Sequence, residues 1–338
     1  MFGLFRRSRR LEVLRVLCYG KLPLAKDFLM SRGGAAARRF QSWVGALDRG
    51  GRVAALPRPQ RALFALPGQR DCVVGTIWDS ADAGGARKFP FALFFEMERE
   101  QLRDGDRVPV FAALDLWERL EHDYARLSGV ATTEDFYRQL RNLRHDSVGA
   151  RPGGQPAERF AAAARQYAPR DLARALFEAD TLARWTRLLW RIERAVAPWR
   201  RSPGSAPTLA FRLPLAGSIP HAVQVEAWLA FIRARAGGAP VLPSIFFPAA
   251  RSGEPSGPPG SFALIFRPVR ESDVWLLQES IGDADVVDLG TADAEGEREG
   301  EDFAAAVQES LESAEADLRR FLPPADRRSD GRSCASCR

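Results

Sequence analysis

Lysine is nearly missing from this sequence of 338 residues. Arginine and lysine together number 49, but only Lys21, Lys26 and Lys88 are lysine. The net charge of +6 and the pI of about 9.5 therefore come almost entirely from arginine. Nucleic-acid-binding proteins cluster basic residues on one face, among aromatic residues that stack on bases. The sequence contains no such stripe, so we expect no nucleic-acid partner and attribute the arginine excess to a GC-rich genome.

Long hydrophobic runs are also missing. A membrane-spanning helix needs about 20 consecutive apolar residues, and the sequence has no such run. The basic segment 1–10 is not followed by the apolar region of a signal peptide, because Glu12 and Arg15 interrupt residues 11–18. We therefore expect a cytoplasmic protein without membrane insertion.

Cysteine and histidine are too few and too scattered to predict a metal site. The sequence has three histidines, far apart, and Cys334 and Cys337 form a single Cys-x-x-Cys at its end. A zinc site needs a second such pair, or histidines at fixed spacing. Cys18 and Cys72 stand singly in predicted strands and are expected to be buried thiols, not a disulfide. We expect neither metal nor cofactor.

The motifs of common catalytic sites are absent as well. The sequence contains no Gly-x-Ser-x-Gly, no Gly-x-Gly-x-x-Gly and no P-loop. His145, Asp146 and Ser147 are the residue types of a hydrolase triad. Adjacent residues, however, rarely place a base and its orienting carboxylate around one nucleophile. We therefore predict no catalytic residues and a non-enzymatic protein.

What the sequence does contain is the pattern of an α/β protein. Hydrophobic residues make up 46% and charged residues 27%, as in ordinary folded domains. Residues 89–97 form a nearly continuous apolar run, which is typical of a strand covered on both faces. Residues 61–66 and 72–78 predict two more strands, joined by a turn at Pro67-Gly68.

Helices are predicted for the middle of the chain, and strands return after Pro198. Apolar residues recur at spacings of three and four between positions 111 and 127, and residues 131–200 are mainly helical. We predict a three-layer α/β/α sandwich around one mixed sheet, because both ends of the chain supply strands that the middle helices can cover. We expect a single domain over residues 11–322, with 131–200 as a helical elaboration and 323–338 as a disordered tail. A split into two domains near residue 200 is the alternative.

Several local features are predicted in addition. Residues 27–47 are predicted to form a helix that Gly33-Gly34 breaks into two pieces. Residues 145–155 are predicted to form a loop and residues 274–278 a strand. Ser218 is predicted to cap the helix that begins near residue 221, and residues 303–322 are predicted to form a final helix.

Two stretches of the sequence carry a family resemblance. The first is Gly20-Lys-Leu-Pro23 followed by Asp27-Phe28, and the second contains Ser80 and Asp82 and ends in Arg87-Lys-Phe-Pro90. They resemble the Gly-Lys-Leu-Pro, Gly-Asp-Phe, Ser-x-Asp, Gly-Arg and Phe-Pro segments of the TagF/ImpM family, accessory proteins of the bacterial type VI secretion system. The resemblance implies a three-layer α/β sandwich. It also implies a post-translational regulator, generally a repressor, linked to a forkhead-associated scaffold protein and a kinase/phosphatase switch.

The same two stretches supply the candidate site. Both leave predicted strands, and they combine charged and aromatic residues in the manner of a binding hot spot within a polar rim. The partner-binding candidates are Lys21, Asp27, Trp78, Asp82 and Arg87. The alternative is an enzyme acting on an anionic small molecule, with Lys21, Arg87 and Asp27 or Asp82 converging at a sheet edge. The oligomeric state is left open.

Overall fold

Eleven strands and seven α-helices make up the part of the chain that the structure describes. The computed structural model describes residues 13–47, 56, 58–85, 88–102, 108–146, 155–167, 169–177, 181–201, 209–237, 242–249, 260–277 and 286–288. The strands are β1 (Val13–Arg15), β2 (Leu17–Gly20), β3 (Leu29–Met30), β4 (Gln60–Ala65), β5 (Asp71–Trp78), β6 (Phe91–Glu98), β7 (Arg144–Asp146), β8 (Ala210–Leu215), β9 (Ser244–Pro248), β10 (Gly260–Ile265) and β11 (Val286–Asp288). The helices are α1 (Ala35–Ala46), α2 (Pro109–Leu127), α3 (Thr133–Asn142), α4 (Pro156–Ala164), α5 (Pro169–Phe177), α6 (Thr181–Arg201) and α7 (His221–Arg235), with 3₁₀-helices at Arg99–Gln101 and Glu271–Leu277.

Nine of these strands form one sheet, in the order β11-β8-β10-β9-β4-β5-β6-β2-β3. Strand β11 runs parallel to β8, whereas all the other neighbours are antiparallel. The predicted mixed sheet is therefore confirmed. Strands that precede and follow the helical middle of the chain meet where β4 pairs with β9. Whether the chain is one domain or two stays a prediction.

Strand β6 carries apolar side chains on both faces of the sheet. Phe91, Leu93 and Phe95 belong to the core shared with α2, α6 and α7. Ala92 and Phe94 belong to the core shared with α1 and the second 3₁₀-helix. All five are fully buried, which explains why the sequence is apolar without alternation here. Helices lie on both faces, and the predicted three-layer sandwich is confirmed.

The helices in the middle of the chain build outward from α2. Trp185 of α6 packs on Trp228 of α7, with ring centroids 5.3 Å apart. Phe160 of α4 packs on Phe111 of α2, with ring centroids 5.3 Å apart. The predicted helical elaboration is thus present, and its large aromatic residues extend one layer of the sandwich. No described helix combines the length and the apolar composition that crossing a bilayer demands.

The prediction of helix from residue 27 is wrong, because α1 begins only at Ala35. Residues 27–34 instead form a turn and the short strand β3. Glu96 of β6 reaches the start of α1 and accepts hydrogen bonds from the backbone N–H groups of Gly34 and Ala37. A Cβ at Gly34 would lie 2.6 Å from a carboxylate oxygen of Glu96. The glycine pair therefore admits a carboxylate that fixes where the helix starts.

Three other local predictions need correction. Arg144–Asp146 is strand β7, paired with β1, where a loop was predicted. Glu271–Leu277 is a 3₁₀-helix where a strand was predicted, and Asp273 stabilises it by accepting hydrogen bonds from the Arg267 guanidinium and the backbone N–H of Arg270. Helix α7 begins after Pro220 without a side-chain cap, so Ser218 does not cap it. The predicted helix 303–322 and the tail 323–338 lie outside the described residues.

The two cysteines of the sheet are buried and form no disulfide. Burial raises the pKa of both the Cys18 and the Cys72 thiol to about 12. A thiol is a weak nucleophile because the thiolate is the reactive form. The prediction of buried thiols is confirmed, and their chemistry is that of small apolar side chains.

Glu226 of α7 is a fully buried carboxyl group at the start of α2. One of its oxygens accepts hydrogen bonds from the backbone N–H groups of Val110, at 2.8 Å, and Phe111, at 3.2 Å. Burial raises the pKa of Glu226 to about 8, although Arg233 and the two N–H groups oppose the rise. An unfolded glutamate has a pKa of about 4.3, so the folded state holds this proton more tightly.

We predict that Glu226 makes the protein less stable as the pH rises. Between about pH 4.3 and pH 8 the folded state binds more protons than the unfolded state, so the free energy of unfolding falls with pH. As the pH is raised from about 5 to about 9, the melting temperature of Glu226→Gln should therefore fall less than that of the wild type. Glu118→Gln, at an exposed position of the same α2, is the control and should follow the wild type. Parallel curves for the wild type and Glu226→Gln would contradict this prediction.

Candidate functional site

The two stretches that resemble the family leave the sheet at the same place. Gly20 at the end of β2 pairs with Phe91 at the start of β6. Phe91 in turn pairs with Trp78 at the end of β5. The first loop, residues 21–28, follows β2, and the second loop, residues 79–90, joins β5 to β6. The pairing of β2 with β6 and of β6 with β5 therefore brings the loops together, although β3, α1, β4 and β5 separate them in the sequence.

Backbone contacts hold the two loops against each other. The N–H of Ala83 in the second loop donates to the carbonyl of Ala25 in the first, at 3.2 Å. Gly20 has a φ of +129°, and a Cβ at this position would lie 2.1 Å from the carbonyl oxygen of Pro90. Only glycine combines this backbone conformation with so close an approach. The glycine of the first stretch is thus explained by the end of the second stretch.

Lys21 and Asp82 connect the loops through their side chains. The ammonium nitrogen lies 3.7 Å from a carboxylate oxygen of Asp82 and 5.1 Å from the centre of the Phe28 ring. Lys21 is only 4% exposed, so it is not the surface cation that the sequence suggested. A lysine at the start of a turn can be buried when a carboxylate and an aromatic ring face compensate for the lost hydration of its ammonium group. Its direct role is to join the loops.

Of the other three predicted partner-binding residues, Asp27 and Trp78 do not join this contact. Asp27 is exposed near the end of the first loop. Trp78 is buried and stacks on Tyr124 of α2, with ring centroids 4.0 Å apart and planes 8° apart. It belongs to the core on the α2 side of the sheet, because the last residue of a strand still alternates with its neighbours. Arg87 lies outside the described residues.

An aromatic cluster that the sequence did not predict lies where the loops meet. Phe28 packs edge-on against Phe89, with ring centroids 4.5 Å apart, and against Tyr19 at 5.9 Å. Phe28 is nevertheless 45% exposed, and Met30, two residues further along β3, is 56% exposed. In the helix predicted for residues 27–34, Phe28 and Met30 would not share a face. Treated as a strand, positions 28 and 30 share one face.

One hydrogen bond joins the outer edge of β3 to α3. The backbone N–H of Met30 points away from β2 and donates to the Tyr137 hydroxyl, at 3.0 Å. Burial raises the pKa of Tyr137, whereas the hydrogen bond from Met30 lowers it. The hydroxyl therefore stays protonated at neutral pH and occupies the N–H that an added strand would use.

Two other polar features lie away from the loops. His145, for which no catalytic role is predicted, contacts the buried Asp123 of α2 through Nε2, at 2.7 Å. This contact ties β7 to α2, and Ser147 lies outside the described residues. A groove of about 570 Å³ is lined partly by Arg15, Arg32 and Glu96, and by neither Lys21, Asp27 nor Asp82. Within the described ranges no three His, Cys, Asp or Glu side chains are grouped as metal ligands.

Comparison with known proteins gives little further information. No protein-family profile matches the chain, and no curated protein matches it either. Among solved structures, the chain is similar to PA0076 from Pseudomonas aeruginosa, with 20% sequence identity and a TM-score of 0.28. The match covers 45% of this chain and 77% of PA0076. A likeness this weak assigns neither a fold nor a role to the chain.

We predict that Gly20 is required for the loops to meet. Gly20→Ala adds steric conflict with Pro90 to backbone strain and should reduce the free energy of unfolding by about 2 to 5 kcal/mol. Gly68→Ala is the matched control, because Gly68 has a φ of +72° and open space around its Cα. Its cost should be backbone strain alone, about 1 kcal/mol. Urea unfolding measures both, and equal losses would show that the approach to Pro90 is unimportant.

Proposed function

We propose that this protein is a non-enzymatic accessory protein of a bacterial type VI secretion system, related to the TagF/ImpM family. It regulates assembly of the apparatus after translation, as a repressor, by binding another protein of the system in the cytoplasm. The expected partner is the forkhead-associated scaffold protein that the family resemblance implies.

The observation that carries the proposal is the meeting of the two stretches that resemble the family. Phe28 of the first packs against Phe89 of the second, and Lys21 pairs with Asp82. The two short motifs support each other's conformation and so form one structural unit. This contact argues against two independent chance matches to the family segments. The contact supports the resemblance, and the role in secretion is inferred from the resemblance.

The chemistry of the loops also favours binding over catalysis. A general acid, a base or an anion-binding lysine has to reach a substrate, and here Lys21 is buried and paired with Asp82. The exposed residues of the loops include Lys26, Asp27, Phe28 and Lys88. Apolar and charged side chains side by side on a surface are typical of a protein–protein contact.

Deletion of the gene tests the proposal. In a strain shown to have a working apparatus, deletion should raise effector release and the frequency of sheath contraction under repressing conditions. Expression of the full chain from a plasmid should restore repression. The control is a strain that also lacks a structural sheath protein, in which deletion should have no effect. Unchanged secretion in the working strain would refute the regulatory role.

A further inference from the structure

The face of the sheet on which α1 lies has an apolar margin at its β3 edge. Helix α1 extends as far as β2, where a Cβ on Gly45 would lie 3.0 Å from the Tyr19 hydroxyl. Tyr19 is half-buried, and beyond it Phe28 and Met30 are 45% and 56% exposed. In the described part of the chain no helix covers them on this face. We call Tyr19, Phe28 and Met30 the margin surface.

Basic side chains surround the margin surface. Lys26 precedes Phe28, Arg32 follows Met30, and Lys88 precedes the Phe89 that packs on Phe28. Arg38 of α1 donates to the carbonyl of Gly33, three residues after Met30. All four are exposed, and the exposed acid between Lys26 and Arg32 is Asp27. A basic rim attracts acidic partners and repels basic ones.

The geometry of the edge selects how a partner can approach. A peptide that extends the sheet would need the outward N–H of Met30, which already donates to Tyr137. Approach over the face leaves this hydrogen bond intact. A helix placed there would lie beside α1 at the usual spacing of about 8 to 10 Å. Its apolar side would cover Phe28 and Met30, as in helix-in-groove recognition.

We infer that the margin surface binds an acidic amphipathic helix of a second protein. Its apolar side packs on Phe28 and Met30, and its carboxylates face Lys26 and Lys88. The inference shares one assumption with the proposed function, which is that the loops bind another protein.

The chain's own C-terminal residues start far from this surface. The last described residue, Asp288, lies on β11, at the opposite edge of the nine-stranded sheet. Eight strand spacings of about 4.8 Å separate the two edges, a distance of about 38 Å. An extended chain spans this distance in about 12 residues, and more residues than that follow Asp288. A contact with the chain's own C-terminal residues is therefore one of the outcomes that the test has to separate from a second protein.

Site-specific photocrosslinking in the native host tests the surface. The full chain carries p-benzoylphenylalanine in place of Met30 in one strain and in place of Val13 in another. Val13 is the matched control, because it is apolar, on a short strand and 55% exposed. We expect position 30, and not position 13, to crosslink to one protein. Mass spectrometry should place the crosslink in a peptide with net negative charge and apolar residues at helical spacing.

The protein identified by the crosslink is then purified without the crosslink, and its affinity for variants of this chain is measured. Lys26→Glu with Lys88→Glu, and separately Met30→Asp, should each weaken binding about tenfold or more. Val13→Asp should leave the affinity unchanged, and melting curves must show that all variants are folded. Binding should also weaken as salt is added, since exposed charges are screened.

The possible outcomes separate the surface from the proposed function. A crosslink to a second copy, to the chain's own C-terminal residues or to a peptide that is not acidic overturns the inference, and so does the absence of any crosslink. Those results leave the deletion experiment unaffected. If instead the acidic helix belongs to a protein outside the secretion system and deletion leaves secretion unchanged, the surface stands and the proposed function fails.

Discussion

Burial of β6 on both faces is the constraint on which the rest of the structure depends. A strand whose side chains all avoid water needs neighbours on both edges and helices above and below. Strands β5 and β2 supply the edges, and α2 and α1 supply the layers. The same strand provides Glu96, which fixes the start of α1. Its first residue, Phe91, aligns β2 with β5 and so sets the place where the two loops meet.

The elements that could be predicted from the sequence are those whose periodicity is set by this core. The apolar run of β6, the Pro67-Gly68 turn and the three-to-four spacing of α2 each reflect a local rule, and each is present. The start of α1 could not be predicted, because it depends on Glu96, about 60 residues further along. The 3₁₀-helix at Glu271–Leu277 depends similarly on the buried Arg267–Asp273 pair, since apolar spacing alone does not separate it from a strand.

Whether the two loops bind a partner stays a prediction, but the structure shows how their side chains are arranged. The sequence indicated that the two loops belong together, and they do touch. It could not tell that Lys21 faces inward, because a charged residue in a turn is normally solvated. Nor could it tell that Phe28 stays half-exposed beside Met30. Which side of a loop faces water is decided by the partner loop.

The near absence of lysine gives this surface a distinct chemical property. All three lysines of the chain lie in the two loops, and of these Lys26 and Lys88 are exposed whereas Lys21 is buried. Reagents that acylate primary amines do not modify arginine guanidinium groups. Apart from the chain's α-amino group, such a reagent has only the loop surface to react with. A fluorophore or biotin attached in this way labels the α-amino group and the loop surface, without any engineered residue.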